Sequence, residues 1–205
     1  MIANSRRVDR AMRLAQRSLM LGRVDRVTFH EDGVTPESDT DHSIMLALVA
    51  ADCAPDRLNV GLIMAYAVVH DFVEAYVGDT NTFGITLQQA ADKLRREQTA
   101  IQQIEDEFPG VVSTMIREYE AQQVAEARWV RVMDKVVVKL SHVLNGCVAI
   151  RAMGHTLADL RERHRCQLAE LTEQYPDMPE GLDLLRIAMA RAEAAWPSDD
   201  PKESP

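Results

Sequence analysis

The chain has 205 residues, of which 46% are apolar and 5% aromatic, with only nine glycines and eight prolines. This length is enough for one sizeable core and a short tail, and the scarcity of aromatic, glycine and proline residues favours helices over a β-sandwich. The formal net charge of −9 argues against binding long nucleic acid, which requires a basic surface. A small anionic ligand remains open if a bound metal supplies positive charge.

The cysteines and the longest apolar run indicate the cellular compartment in which the protein is expected. Cys53, Cys147 and Cys166 are odd in number and lack C-x-x-C spacing, so they predict neither a disulfide framework nor a zinc knuckle. The N-terminus is interrupted by charge every few residues, and the best apolar run, 58–69, is too short to span a bilayer. We therefore expect a cytoplasmic protein with no membrane partner.

The spacing of apolar residues predicts an all-α chain, a bundle of about seven helices. Segment 22–39 has no helical period and contains Gly33 and Pro36, which predicts a long ordered loop. Residues 1–195 are expected to form a single domain, and the polar, proline-rich segment 196–205 a disordered tail. The helices are expected over about 4–21, from Ser38, over about 55–77, from Thr86, and over about 122–148, 157–175 and 181–195.

A capping box precedes the first candidate metal ligand. Ser38, followed three residues later by Asp41 and then by an apolar run, predicts the start of a helix with His42 in its first turn. There the helix dipole favours the neutral imidazole that binds metals. A lone histidine at this place is also typical of a cap or a core residue, so His42 alone decides nothing.

Three polar residues interrupt the apolar helix predicted over 55–77. On a regular α-helix His70 and Glu74 lie about 40° apart, with Asp71 on the adjoining flank, so all three are expected to face one way. Burying them without partners or a metal would cost several kcal/mol.

Asp134 is anomalous in the same way. In VRVMDKVVVKL it shares an inward stripe with apolar residues, so its carboxylate needs a cation. Taken alone, Asp134 is explained better by a salt bridge to an arginine on a neighbouring helix.

Together these residues form a pattern that resembles the HD superfamily, whose motif is H…HD…D, and specifically its 5′-deoxynucleotidase-like branch. The resemblance covers about 23–144 and rests on three blocks: PESDTDHS (36–43), AVVHDFVEAYVGD (67–79) and EARWVRVMDKV (126–136). The H-D-x-x-E-x-x-x-x-D block, preceded by P-E-x-x-x-x-H, is far more specific than a bare H-D pair.

This resemblance implies one divalent metal and a metal-activated water. Mixed imidazole and carboxylate ligation suits Mn, Co, Zn or Fe better than Ca, with Mg as a further option. Water and a phosphate oxygen would complete the coordination. The implied ligands are His42, His70, Asp71 and Asp134.

The resemblance also suggests roles around the metal. Glu74 is expected to handle the proton and Asp79 to orient water or the leaving oxygen, with a cap of the loop after Gly78 as the less favoured alternative for Asp79. Arg26 resembles the family's phosphate-binding arginine, offset by one residue and followed by valine where the family usually has an aromatic residue. A solvated Arg26 explains the sequence as well. His30 and Lys135 are further substrate-binding candidates, with a loop hydrogen bond and a solvated lysine as the alternatives.

The function expected from the resemblance is hydrolysis of deoxynucleoside 5′-monophosphates to deoxynucleoside and phosphate. One alternative is a deoxynucleoside triphosphate triphosphohydrolase, because the same metal site could attack the α-phosphorus. A second is a non-catalytic nucleotide sensor that keeps the metal as a structural element. The expected partner is a small deoxynucleotide, and the amphipathic terminal helices could form a homo-oligomer interface.

Overall fold

A computed structural model of the chain describes residues 2–80 and 85–198, and helices make up most of them. The prediction of an all-α fold is confirmed. In chain order the elements are α1 (Ile2–Leu21), β1 (Asp25–Phe29), β2 (Pro36–Ser38), α2 (Asp39–Asp52), α3 (Val60–Val69), α4 (Glu74–Val77), α5 (Leu87–Glu107), α6 (Val111–Ala121), α7 (Ala125–Asn145), α8 (Val148–Ala152), α9 (Leu157–Gln174) and α10 (Pro179–Ala194).

The segment predicted to be a long loop, 22–39, instead contains a small hairpin. Strands β1 and β2 are antiparallel, with Asp25 opposite Ser38 and Phe29 opposite Pro36. The carboxylate of Asp32 accepts hydrogen bonds from the amides of the following turn. The sequence did not reveal the strands because five and three residues give too few alternations to show a two-residue period.

Two helical stretches also differ from the prediction. The helix expected over 55–77 begins only at Val60, where the Asn59 side chain accepts a hydrogen bond from the Leu62 amide, and it is interrupted after Val69. Between the helix predicted from Thr86 and the one predicted over about 122–148, the chain also forms α6, which the sequence analysis did not predict. The sequence pattern therefore predicted that these stretches are helical better than it predicted the residues at which the helices begin and end.

Helix α7 is central to the bundle. It packs against α2, α3, α6 and α10 and contributes the fully buried Trp129 and Met133 to the main core. The Trp129 indole donates a hydrogen bond to the carbonyl oxygen of Ala50 in α2, at 2.9 Å. Helix α10 approaches α7 closely at Gly181, where a β-carbon would lie only 3.0 Å from Val132. The helix that carries Asp134 is thus held on several sides.

The C-terminal part of the chain packs onto α7 and α8. Trp196, which the sequence reading placed in the disordered tail, is buried with Cys147, Ile150, Leu160 and Ala192. The packed part of the chain therefore includes Trp196. The predicted disorder of the remaining tail falls mainly on 199–205, outside the described residues, and the single domain over 1–195 stays a prediction.

Segment Val60–Val77 is long and apolar enough to cross a membrane by length and composition. Its helix is interrupted after Val69, and it contributes Ile63, Tyr66 and Ala67 to the buried core. A core helix of a globular domain passes the same test of composition, and these contacts are those of a core helix.

Candidate metal centre

The hairpin and the start of α2 position the first candidate ligand. The Ser38 side chain accepts a hydrogen bond from the Asp41 amide, and the Asp41 carboxylate accepts one from the Ser38 amide, so the predicted capping box is present. His42 follows in the first turn and is fully buried. The capping box stabilises the N-terminus of α2 and so fixes the position of the His42 ring.

Both ring nitrogens of His42 face carboxylates. Nε2 lies 2.9 Å from Oδ1 of Asp134, and Nδ1 lies 3.2 Å from Oε1 of Glu37. Burial opposes the imidazolium, but the hydrogen bonds to Asp134 and Glu37 outweigh it and raise the pKa of His42 to about 9. A metal on Nε2 would take the place of one proton and leave Nδ1–H donating to Glu37, an arrangement common behind histidine ligands.

The second histidine lies where the helix after Val60 is interrupted. His70 Nδ1 donates to the carbonyl oxygen of Ala67 at 2.8 Å, and the amides of Phe72 and Glu74 bond three residues back rather than four. A side chain that bonds to a helix carbonyl interrupts the regular backbone hydrogen bonds of the α-helix. The chain here winds more tightly, with about three residues per turn. Asp71 and Glu74 consequently face the same side.

His70 Nε2 provides the clearest sign of a cation site. Since Ala67 O can only accept, Nδ1 carries a proton, and in the neutral ring that binds metals Nε2 presents a lone pair. That buried nitrogen has no hydrogen-bond partner among the described residues, yet Asp71 Oδ2 lies 2.9 Å away. Two electron-pair donors this close repel each other unless a cation lies between them. Ligand atoms of His42, His70 and Asp71 all lie within 4.8 Å of one another, a group able to hold a metal ion.

Asp134 joins this group from α7. Its Oδ1 bonds to His42 and its Oδ2 accepts from Lys135 Nζ at 2.7 Å, so no arginine on a neighbouring helix is needed to explain it. Burial would raise the pKa of Asp134, but the positive charge of Lys135 and the hydrogen bond and charge of His42 hold it well below its usual range. The structure thus brings the four predicted ligands together. Nitrogen and oxygen donors in this combination fit a divalent transition metal.

Further carboxylates line the same place. Glu74 is buried, and one of its oxygens lies within 4.8 Å of oxygens of Asp39 and Asp71. Burial and the negative charges of Asp71, Asp39 and Asp79 raise the pKa of Glu74 far above its ordinary value. Glu74 can therefore hold a proton at neutral pH, a property required of a group that moves protons.

Arg26 is engaged with carboxylates rather than with solvent. From β1 its Nη1 donates to Asp39 and to Asp71, each at 2.9 Å, and Nε lies 3.5 Å from Glu37. Burial opposes the charge, but the neighbouring aspartates, Asp71 first, hold the pKa of Arg26 above its ordinary value. Arg26 is therefore a fixed positive charge that touches a candidate ligand directly.

The other predicted substrate-binding residues differ in position. Lys135 lies beside Asp134 and lines the cavity described below. His30 lies on the turn of the hairpin, with Nε2 3.3 Å from Asp41 Oδ2, and is not among the residues that line the cavity. We therefore carry Lys135 but not His30 into the proposed site.

The sequence analysis did not identify two residues near the candidate metal centre, Glu37 and Asp39. Glu37, within the quoted PESDTDHS block, is buried and joins His42, Arg26 and Ser141, whose hydroxyl donates at 2.9 Å. Asp39 is fully buried against Arg26. The available signal was a cluster of three acidic residues, Glu37, Asp39 and Asp41, immediately ahead of the histidine. Only Asp41 has the exposed capping role that such clusters usually have.

A cavity of about 540 Å³ opens beside these residues, within the usual range of small-molecule sites. Its walls on the metal side include the candidate ligands His70, Asp71 and Asp134, the carboxylates Glu74 and Asp79, and the cations Arg26, Lys93 and Lys135. Lys93 Nζ lies 3.6 Å from Glu74 Oε1 and 2.7 Å from Glu97. This arrangement can bind a metal cation next to an anionic substrate group. Its carboxylates can transfer a proton to or from that substrate.

Comparisons relate this chain to known proteins. The sequence profile of the HD domain family matches residues 20–175, about three-quarters of the chain. Over 104 residues the chain is 35% identical to the human 5′-deoxynucleotidase HDDC2 and 34% identical to its mouse counterpart. The matched segment is 49% of this chain, and the chain spans about half the length of these relatives.

Solved structures show the same fold. A predicted metal-dependent phosphohydrolase of Magnetospirillum magnetotacticum superposes with a TM-score of 0.69 at 24% identity, covering 92% of this chain and 95% of that one. A conserved hypothetical protein of Pyrococcus furiosus gives 0.60 at 19% identity, covering 89% and 99%. With the family profile matched across all three motif blocks, the chain belongs to the HD domain family.

Proposed function

We propose that this chain is a phosphoric ester hydrolase that converts deoxynucleoside 5′-monophosphates to deoxynucleoside and phosphate. The proposal depends most on one observation: the unpartnered lone pair of His70 Nε2 next to Asp71, at the wall of a cavity large enough for a nucleotide. The relatives that bear the name 5′-deoxynucleotidase support the choice of substrate.

The proposed metal ligands are His42, His70, Asp71 and Asp134. Imidazole and carboxylate donors suit Mn, Co, Zn or Fe, with Mg as a further option. Such an ion supplies positive charge that polarises the phosphoryl group and lowers the pKa of water. Glu37 would hold the His42 ring in place through Nδ1.

The chain's own residues account for substrate binding and proton transfer. Hydrolysis of a phosphomonoester moves one proton from the attacking water to the leaving 5′-oxygen, and buried Glu74 is placed to carry it. Arg26 has further guanidinium donors besides those given to Asp39 and Asp71, and these can bind phosphate oxygens. Lys135 adds a second cation, and Asp79 at the cavity wall can orient water or the leaving oxygen.

Product analysis tests the reaction. Metal-free protein is reloaded separately with Mn, Co, Zn and Mg and incubated with each deoxynucleoside mono- and triphosphate. Orthophosphate and nucleoside released from a monophosphate are expected. Failure to release either product with every metal, while a metal stays tightly bound, would favour a non-catalytic nucleotide sensor.

Glu74→Gln separates an enzyme from a protein that binds metal for structure. The variant cannot carry the proton, so turnover is expected to fall by about 10²- to 10⁴-fold while the metal is retained. Glu162→Gln, on the exposed face of α9, is the matched control and should behave as wild type. Unchanged turnover in Glu74→Gln would contradict the proton-carrying role.

One observation favours a second candidate, the deoxynucleoside triphosphate triphosphohydrolase. The cavity does not end at the metal side but continues along α7 past Asp134 to further cations, Lys139 and Arg163. A longer phosphate chain could extend into that space. Triphosphate and nucleoside among the products would identify this reaction.

We further propose a cytoplasmic homo-oligomer. All three cysteines are free, as expected in a reducing compartment. Packed helices α2 and α3 expose apolar side chains four residues apart, Ile44 and Leu48 on one helix and Met64 and Val68 on the other. Such a patch is typical of an interface between subunits. Light scattering coupled to gel filtration should give a mass above 23.0 kDa, which Leu48→Lys with Met64→Lys should reduce to the monomer value.

A further inference from the structure

The cavity has a second half that the proposed reaction does not use. Beyond Asp134 it continues between α7, α8 and α9, a region we call the α9 lobe. Part of its wall is apolar, formed by Val138, Ile150 and Leu160. Its polar lining residues are Lys139, His142, Arg163, His164 and Gln167.

Two cations of the α9 lobe have no counter-charge. Lys139 is 5% exposed, and neither it nor Arg163 forms a hydrogen bond or ion pair with any residue in 2–80 or 85–198. Burial, followed by the positive charges of Lys135 and Arg163, lowers the pKa of Lys139 to about 7. A buried ammonium with a like charge nearby is costly, and an anion bound between Lys139 and Arg163 removes that cost.

The nearest carboxylates on α7 and α10 are already occupied. Asp134 bonds to His42 and Lys135, and Glu193 accepts from His164 Nδ1 at 2.8 Å and lies 3.5 Å from Arg161. Because His164 Nδ1 carries the proton, its buried Nε2 presents an unpartnered acceptor, and the buried Oε1 of Gln167 is also unpartnered. These two acceptors do not bind a phosphate dianion, which also accepts, so the groups of the α9 lobe that can bind an anion are the unpaired ammonium of Lys139 and guanidinium of Arg163.

We propose that the α9 lobe binds a second phosphate group of the nucleotide, distinct from the phosphate attacked at the metal centre. Lys139 and Arg163 are its principal ligands. Lys139 is five residues beyond Asp134 on α7, about 7.5 Å along the helix axis. A nucleotide with its scissile phosphate at Asp134 can therefore reach Lys139 with another phosphate.

The second phosphate could come from two sources. It could be a distal phosphate of a di- or triphosphate, or a phosphate on the 3′-oxygen of a 5′-monophosphate. In both cases the recognised chemistry is a phosphate dianion that accepts from an ammonium and a guanidinium. The inference depends on the proposed nucleotide hydrolysis only in that the metal centre holds the first phosphate.

Steady-state kinetics on the metal-loaded full chain test the proposal. The substrates are deoxyadenosine 5′-monophosphate, 5′-triphosphate and 3′,5′-bisphosphate, and the quantity compared is kcat/KM relative to the monophosphate. We expect wild type to prefer one of the two longer substrates, and Lys139→Met or Arg163→Gln to reduce that preference about tenfold or more, the size of a lost charge-assisted bond. Which substrate is preferred identifies the source.

Arg165→Gln is the matched control. This arginine is on the same helix as Arg163 but is exposed and paired with Glu162, so its loss should leave the preference unchanged. A preference for the longer substrates that survives both Lys139→Met and Arg163→Gln would overturn the proposal. So would a wild-type protein that prefers the monophosphate.

A binding measurement separates failure of this proposal from failure of the proposed function. Dissociation constants of the same three nucleotides are measured by calorimetry on the metal-loaded Glu74→Gln protein, with and without Lys139→Met. If wild type hydrolyses nothing but the extra phosphate tightens binding through Lys139, the proposed reaction is wrong and the second phosphate site stands. If monophosphates are hydrolysed and the extra phosphate does not tighten binding, the proposed reaction stands and the second phosphate site is wrong.

Discussion

The two halves of the cavity differ in their balance of charge, although α7 contributes to both. On the metal side, Asp39, Asp71, Glu74 and Asp134 crowd around a few cations, and Arg26 and Lys135 are each paired with a carboxylate. In the α9 lobe, neither Lys139 nor Arg163 is paired with a carboxylate of the described residues. One half has a surplus of carboxylates and the other has unpaired cations.

This difference indicates what each half takes up. A surplus of buried carboxylates is relieved by a cation, and unpaired buried cations are relieved by an anion. Asp134 and Lys139 are five residues apart on one rigid helix, so a ligand that bridges the two halves meets both conditions at a fixed spacing. Helix α7 packs against α2, α3 and α10, and this packing fixes the positions of both Asp134 and Lys139.

The largest expected effect comes from removing a ligand on the metal side. His70→Ala removes the nitrogen that faces Asp71 without a hydrogen bond. We expect metal affinity to fall by more than about 100-fold, since even partners behind a ligand are worth about 10- to 100-fold. Metal titration by calorimetry measures the loss, and His155→Ala is the control because His155 is not among the cavity-lining residues. Wild-type metal affinity in His70→Ala would refute the assignment of the metal site.

Glu37→Gln tests the support behind His42. The amide is the same size but loses the charge that faces His42 Nδ1 at 3.2 Å. Metal affinity is expected to fall by about 10- to 100-fold. The fold should persist because Glu37 contacts Ser141 and Arg26 through atoms that an amide can still satisfy in part. A metal affinity equal to wild type, with an intact circular dichroism spectrum, would show that Glu37 only fills space.

The sequence identified the candidate ligands but not their structural setting. His70, Asp71 and Asp134 are polar residues on otherwise apolar stretches, an anomaly that needs no structure to detect, whereas His42 follows a polar run. Their grouping came from a family pattern. The local geometry was predicted wrongly at His70, because a regular helix was assumed where the side chain takes the carbonyl of Ala67 and interrupts the ladder.

What could not be predicted depends on pairs of residues far apart in sequence. The contact of Glu37 with Ser141 spans 104 positions, and no local period indicates it. In the sequence Lys139 resembles any other lysine beside an apolar stripe, and only the structure shows that it is buried at the cavity wall without a partner among the described residues. The long-range placement of charge therefore had to come from the structure, whereas the helical class and the candidate ligands were predicted from the sequence.

The α9 lobe also makes a prediction about stability. The pKa of Lys139 is about 7 when folded, but an ordinary lysine of the unfolded chain stays near 10.5, because burial and then the charges of Lys135 and Arg163 act only in the folded protein. Between these values the unfolded chain binds more protons, so the free energy of unfolding rises with pH through this window, by up to about 1.4 kcal/mol per pH unit.

Lys139→Met is expected to lose this dependence, and the apolar side chain should make the protein more stable at pH 7. Urea unfolding of wild type and variant at pH 7, 8 and 9 gives the difference directly. Adding inorganic phosphate should stabilise wild type more than the variant. A difference between the two proteins that does not change with pH would mean that Lys139 stays fully charged in the folded state.

The smallest expected effect lies back on the metal side, at Ser141. Its hydroxyl donates to Glu37 Oε2, so Ser141→Ala removes one of several contacts of that carboxylate. We expect metal affinity to fall by about 2- to 10-fold, the value of one hydrogen bond. If Ser141 acts only by holding Glu37, adding Ser141→Ala to Glu37→Gln should cost little more than Glu37→Gln alone. Additive losses in the double variant would mean that Ser141 affects the metal centre by another route, through its own helix and Asp134.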